Sequence, residues 1–280
     1  MTQKQDTIIT VSLFIALTAL FHLIGFWLIF RLGKATPLML SVGVAAIVTS
    51  LLRKQSLNTW GWSWGKWKYQ WTSYLLPFFI IATAYAIIWI TGVGGGYNET
   101  YIDHTREGYN LAEWNDASII AFHFLITATI TFLLALPSVL GEEIAWRGFL
   151  VTALMKSFSF KATSLISGFL WSVFHWPLMF MGFYGVSGTP LPFQVACFTV
   201  YIMSASVIMT YLRVKTDSLW TGVIFHMSAN VFLQKYFSTL TQNTETTKWY
   251  GDEFGLLPAS LMLMVAIYYW LKSNKEFNAH

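Results

Sequence analysis

Apolar residues run along this chain in long blocks, not in the short periodic stripes of a soluble core. Residues 8–30 carry no formal charge over 23 positions, and about 20 apolar residues suffice to cross a bilayer as helix. Several similar blocks follow. The pattern predicts eight spans, over residues 8–30, 35–52, 72–92, 118–140, 162–183, 191–212, 218–237 and 255–271. The expected fold is an all-α polytopic transmembrane bundle. It forms one integral membrane domain over 1–280, with its chemistry in the half spanning about 118–237. The first block is too long for a signal-peptide core and reads as a retained helix.

Between the second and third spans, Trp60, Trp62, Trp64, Trp67 and Trp71 gather with Lys66 and Lys68. Indoles and amines at this density predict a segment at headgroup depth. Gly94, Gly95 and Gly96 predict a turn, because no Lys-Ser/Thr follows as a phosphate loop requires.

Composition agrees with this picture. Hydrophobic residues make up 55% and charged residues 11%, against about 25% charged in a soluble domain, and the mean hydropathy is +0.54. The net charge of +4 is better explained by orientation in a membrane than by nucleic acid. Acidic residues fill the 94–116 and 238–254 loops. Basic residues gather at Arg53, Lys54, Lys66, Lys68, Lys156, Lys161, Arg213, Lys215, Lys272 and Lys275. Eight alternating spans place all of these on one side, which predicts cytoplasmic termini in a bacterial-type cell membrane. Arg31 and Lys34 fall on the other side. The single cysteine, Cys197, excludes an intrachain disulfide and reads as a packing residue.

Ionisable residues inside spans are costly and mark function by default. Three groups stand out: Glu142, Glu143 and Arg147 at the end of the fourth span, His175 in the fifth, and His226 with Asn230 in the seventh. Glu143 and Arg147 are four apart and can pair. Glu142 points about 100° away, so one carboxylate can be neutralised while the other faces a cavity. Trp171 and His175 repeat the spacing of four, which could set an indole against the imidazole. Any one of these residues alone is as well explained by helix–helix bonding, and His22 and His123 receive that reading. Two carboxylates, two imidazoles and a carboxamide on three spans predict one convergent site. A carboxylate can take a proton from water, imidazoles can orient that water or hold a metal, and a carboxamide can donate to an oxyanion. No Gly-x-Ser-x-Gly or His-Glu-x-x-His motif occurs.

At these residues the sequence resembles the CPBP family, the type II CAAX prenyl endopeptidases and bacteriocin-processing enzymes. The family pattern Glu-Glu-x-x-x-Arg, Phe/Trp-x-x-x-His and His-x-x-x-Asn is matched in order by Glu142-Glu143-x-x-x-Arg147, Trp171-x-x-x-His175 and His226-x-x-x-Asn230, within about 138–232. The resemblance implies eight helices and an intramembrane site near the cytoplasmic side. Glu142 would be the general base, with His175 binding and activating water or a metal. His226 and Asn230 would stabilise the oxyanion, supported by Glu143 and Arg147. A metalloprotease reading would place Zn²⁺ on His175, His226 and Glu142, with no organic cofactor. The implied substrate is a membrane-associated peptide or a prenylated or lipid-linked one. The alternatives are a non-enzymatic membrane scaffold or bacteriocin immunity protein and, behind it for want of an internal repeat, a transporter.

Overall fold

The structure is a computed structural model that describes residues 1–33 and 35–277. It is all-α, with eleven helices and no strand among the described residues. They are α1 (Gln3–Leu32), α2 (Thr36–Leu52), α3 (Trp67–Ile90), α4 (Glu99–Gly108) and α5 (Asp116–Leu134). After these come α6 (residues 136–154), α7 (Phe160–Phe180), α8 (Leu191–Thr216), α9 (residues 220–240), α10 (Thr247–Tyr250) and α11 (Leu256–Phe277). By length and apolarity alone, α1, α3, α5, α8 and α11 can cross a membrane. Of the other three predicted spans, α2 has only 17 residues, and α7 and α9 carry the polar groups of the site.

Local chemistry sets the ends. A capping box between Thr2 and Gln5 opens α1, and Gly33, in the left-handed region, closes it. Asn98, Asn115 and Ser159 cap α4, α5 and α7 with side-chain oxygens. Each satisfies an amide that the first helical turn leaves unpaired.

Contacts at the two ends show alternating directions. At one end the start of α1 meets the end of α2 through Asp6 and Arg53, and the end of α8 meets the end of α11 through Lys215 and Glu276 at 2.7 Å. There too the Trp220 indole donates to the Trp62 carbonyl at 2.9 Å, joining the starts of α3 and α9. At the opposite end Gly95 pairs with Gln242, and Tyr97 donates to Asp116. The basic residues therefore gather at one end, and the acidic loops at the other. Arg31 lies at the acidic end, and Lys34 lies outside the described residues.

Two expectations change. The predicted span 118–140 breaks at Ala135, and the Glu-Glu motif sits inside a separate helix, α6. Pro137 explains the break: it has no N–H to donate one turn back, and its ring crowds that carbonyl. Leu136 packs with Trp220 against Val139, Leu219 and Val223. Beyond the other end of α6, Ser157 hydrogen-bonds Thr7 at 3.0 Å. Both ends of α6 thus sit toward the basic end, and it joins the bundle without adding a crossing. The tryptophan segment also divides. Trp62, Trp64, Trp67 and Trp71 are exposed, but Trp60 is buried against Phe149 and Gly148.

Glycines set the closest helix crossing. A Cβ on Gly43 would meet the Gly141 carbonyl oxygen at 2.5 Å, so α2 and α6 touch backbone to backbone. This contact holds α6 one residue before Glu142.

Candidate active site

The Glu-Glu motif ends the first, α-helical part of α6, and a π-helical turn, Ile144–Leu150, follows it. A second π turn, Val231–Phe237, follows Asn230 directly. Such turns are rare and recur at functional sites. Here they widen the helix on the C-terminal side of two of the three motifs.

The structure brings the predicted residues together. Glu142, His175, His226 and Asn230 line one cavity of about 330 Å³, with Trp171, Tyr184, Phe198 and Gln234 also in its wall. Glu143 and Arg147 lie beside it, both fully buried. The two adjacent carboxylates diverge as their angular offset predicts. Arg147 donates to Glu143 Oε1 at 2.9 Å, and the Nδ1–H of His226 donates to the same oxygen at 3.0 Å. Glu142 instead faces the cavity, where Oε2 accepts the Trp171 indole N–H at 2.8 Å.

His175 is oriented by its own helix. Its Nδ1–H donates to the Trp171 carbonyl at 3.0 Å, which leaves the Nε2 lone pair toward Glu142 Oε2, 4.0 Å away. It is thus the Trp171 backbone, not its indole, that fixes this imidazole. The indole packs edge-on against His226, with centroids 4.9 Å apart, and under the Arg147 guanidinium at 4.2 Å. Among the described residues the Asn230 carboxamide makes no hydrogen bond. Gly222 admits Glu143, because a Cβ there would lie 2.8 Å from Oε2.

A Zn²⁺ site generally takes three protein ligands plus water. Among the described residues no group of three or more His, Cys, Asp or Glu side chains is arranged to hold a metal ion. Glu142 Oε2 is engaged by the indole, and His226 turns Nδ1 to Glu143. This donor set falls short of a three-ligand centre on His175, His226 and Glu142.

Sequence reasoning counted Glu253 only as a loop charge. It is 4% exposed. Tyr184 donates to it, and so does Gln234, at 2.9 Å, so Glu253 braces two residues of the cavity wall. Burial and the neighbouring Asp252 push its carboxyl up to about 8. The spacing of four from Asn230 to Gln234 was the one signal in the sequence pointing to this wall.

The fold and site define a polytopic helical membrane protein with an intramembrane carboxylate–imidazole centre. Residues 120–232, which hold all three motifs, match the family model described as type II CAAX prenyl endopeptidase Rce1-like. The chain is also similar to the protein named CAAX prenyl protease 2 of Methanococcus maripaludis, with 28% identity over 120 residues, 41% of this chain and 43% of that relative. The aligned stretch thus spans less than half of the relative's length. Both findings support the resemblance to the CPBP proteases.

Proposed function

We propose that the protein is an intramembrane endopeptidase that hydrolyses a peptide bond in a membrane-associated or lipid-linked peptide, with water activated by Glu142 and His175. The supporting observation is the 4.0 Å gap between Glu142 Oε2 and His175 Nε2 inside one cavity. That gap is too long for a direct hydrogen bond and suits a single water that bonds to both. The neutral His175 Nε2 accepts one water proton in a hydrogen bond. Glu142 takes the other as the water oxygen attacks the carbonyl carbon. The resulting oxyanion receives hydrogen bonds from the Asn230 amide and from His226 Nε2–H in the charged imidazole that Glu143 supports. Glu142 then returns its proton to the departing amine as the C–N bond breaks. Positive charge near lipid headgroups places the basic end, with both termini, in the cytoplasm.

No step requires an ion. Metal analysis with a chelator assay tests this: turnover is expected to survive chelation, and loss restored by Zn²⁺ would overturn it. Incubation of wild type and Glu142→Ala with a membrane-peptide library, read by mass spectrometry, tests the proteolytic reading. Cleavage by wild type alone is expected. Equal turnover by the variant would remove Glu142 as base, and no cleavage by either would favour a scaffold or immunity role.

A further inference from the structure

The residues lining the cavity are not equally exposed. Glu142, His175 and His226 are buried at its depth, whereas Phe30 and Phe183, also in its wall, are 61% and 57% exposed, and Ala35 is exposed as well. These three rim positions belong to the last residues of α1, the turn into α2 and the loop between α7 and α8. All lie at the acidic end of the bundle.

The basic end is closed beneath the site. Trp60 packs on Phe149, the Leu219 amide donates to the Gly61 carbonyl at 2.6 Å, and Arg213 donates to the Arg147 carbonyl at 3.2 Å. Trp60, Phe149, Arg147 and Arg213 are all buried, so the layer between the site and that end is filled.

At the open end three rings meet. Phe26 lies 5.2 Å from Phe30 and 5.8 Å from Phe183, and Phe30 lies 5.6 Å from Phe183, centroid to centroid. The loop bearing Phe183 is pinned by Gln194, which bonds Val186 on both sides and the Thr189 carbonyl. Gly185, at φ 152°, sits where a Cβ would meet Gln194 Oε1 at 2.5 Å, so its lack of a side chain permits this anchoring. Behind the rings come Tyr184, Asn230 and Gln234. The entrance is therefore an apolar collar backed by hydrogen-bonding groups.

We infer that the catalytic cavity is entered from the non-cytoplasmic face, through the collar of Phe26, Phe30 and Phe183, by a peptide that passes an apolar side chain inward. The inference rests on the proteolytic reading for its substrate and on the distribution of Lys and Arg for its sidedness. It is opposite to the cytoplasmic entrance that the family resemblance implies. Peptides arriving from the outer leaflet or the external medium would be substrates, and a protein held at the cytoplasmic surface would not reach Glu142.

The test uses the full-length protein in cells, with the buried Cys197 replaced by serine and one new cysteine at a time. In Phe183→Cys, and in Ala35→Cys at the same rim, a membrane-impermeant maleimide is expected to label intact cells. Lys275→Cys is expected to label only after permeabilisation. The reverse pattern would overturn the sidedness. A bulky maleimide on Phe183→Cys is expected to lower peptide cleavage at least tenfold relative to the unlabelled variant, while the same label on Glu245→Cys leaves cleavage unchanged. Unchanged cleavage after labelling Phe183→Cys would overturn the entrance. Labelling needs no turnover, so a protein that cleaves nothing would fail the proteolytic reading while sidedness is still decided by the label.

Discussion

Glu142 and Glu143 are neighbours in sequence with the same side chain and nearly the same burial, yet their surroundings are opposite. Glu143 meets a guanidinium and an imidazole in a layer closed to solvent. Glu142 meets one indole N–H and otherwise faces the cavity. The first arrangement consumes a carboxylate's hydrogen-bonding capacity and fixes it. The second leaves capacity to spare for a water and a reacting group. Function follows from the unsatisfied member, and the satisfied one holds the scaffold in register.

That contrast can be broken experimentally. The largest effect is expected from Arg147→Met, which leaves Glu143 buried without its cation. Breaking a buried pair on one side costs about 3–5 kcal/mol, so a steep fall in melting temperature is predicted. Glu142→Gln, measured in the same melt, is expected to stay near wild type. A variant of Arg147 that melts like wild type would show that the two carboxylates do not differ as described.

Trp171→Phe sharpens the comparison from the other side. It keeps the ring beside His226 and deletes the one N–H that holds Glu142. A fall in kcat of roughly tenfold is expected, equivalent to about 1.4 kcal/mol, with KM little changed. A change in KM alone would instead assign the indole to substrate binding.

The smallest effect concerns Glu253, in the loop before α11. Its carboxyl, pushed up to about 8 by burial and by Asp252, holds a proton in the folded protein that the unfolded chain releases near the ordinary carboxylate range. Between those values the native state binds more protons, so rising pH favours unfolding. The melting temperature is expected to drift down across this window and level off above it, and Glu253→Gln is expected to flatten the drift. An equal slope in wild type and variant would assign the drift to another group.

Much of this was legible beforehand for definite reasons. Membrane helices are readable because lipid demands long apolar runs with internally satisfied backbone. The cluster was readable because polar groups at that depth are rare, and the offset of consecutive residues around a helix separated Glu142 from Glu143. The break at Ala135 was harder to see, because the apolar run continues across it and only Pro137 marks it. Glu253 was hidden because its partners, Tyr184 and Gln234, are 69 and 19 residues away.

The sequence by itself determined that this chain lives in lipid, that charge divides its two ends, and that six polar residues are set apart. These follow from the free energy of each residue in its solvent, a property that needs no knowledge of neighbours. The tertiary structure decided which carboxylate is neutralised, what turns each imidazole, which tryptophan is core, and at which end the cavity opens. Those outcomes depend on contacts between distant helices, such as the glycine crossing of α2 and α6, and long-range packing geometry is not written in local hydropathy.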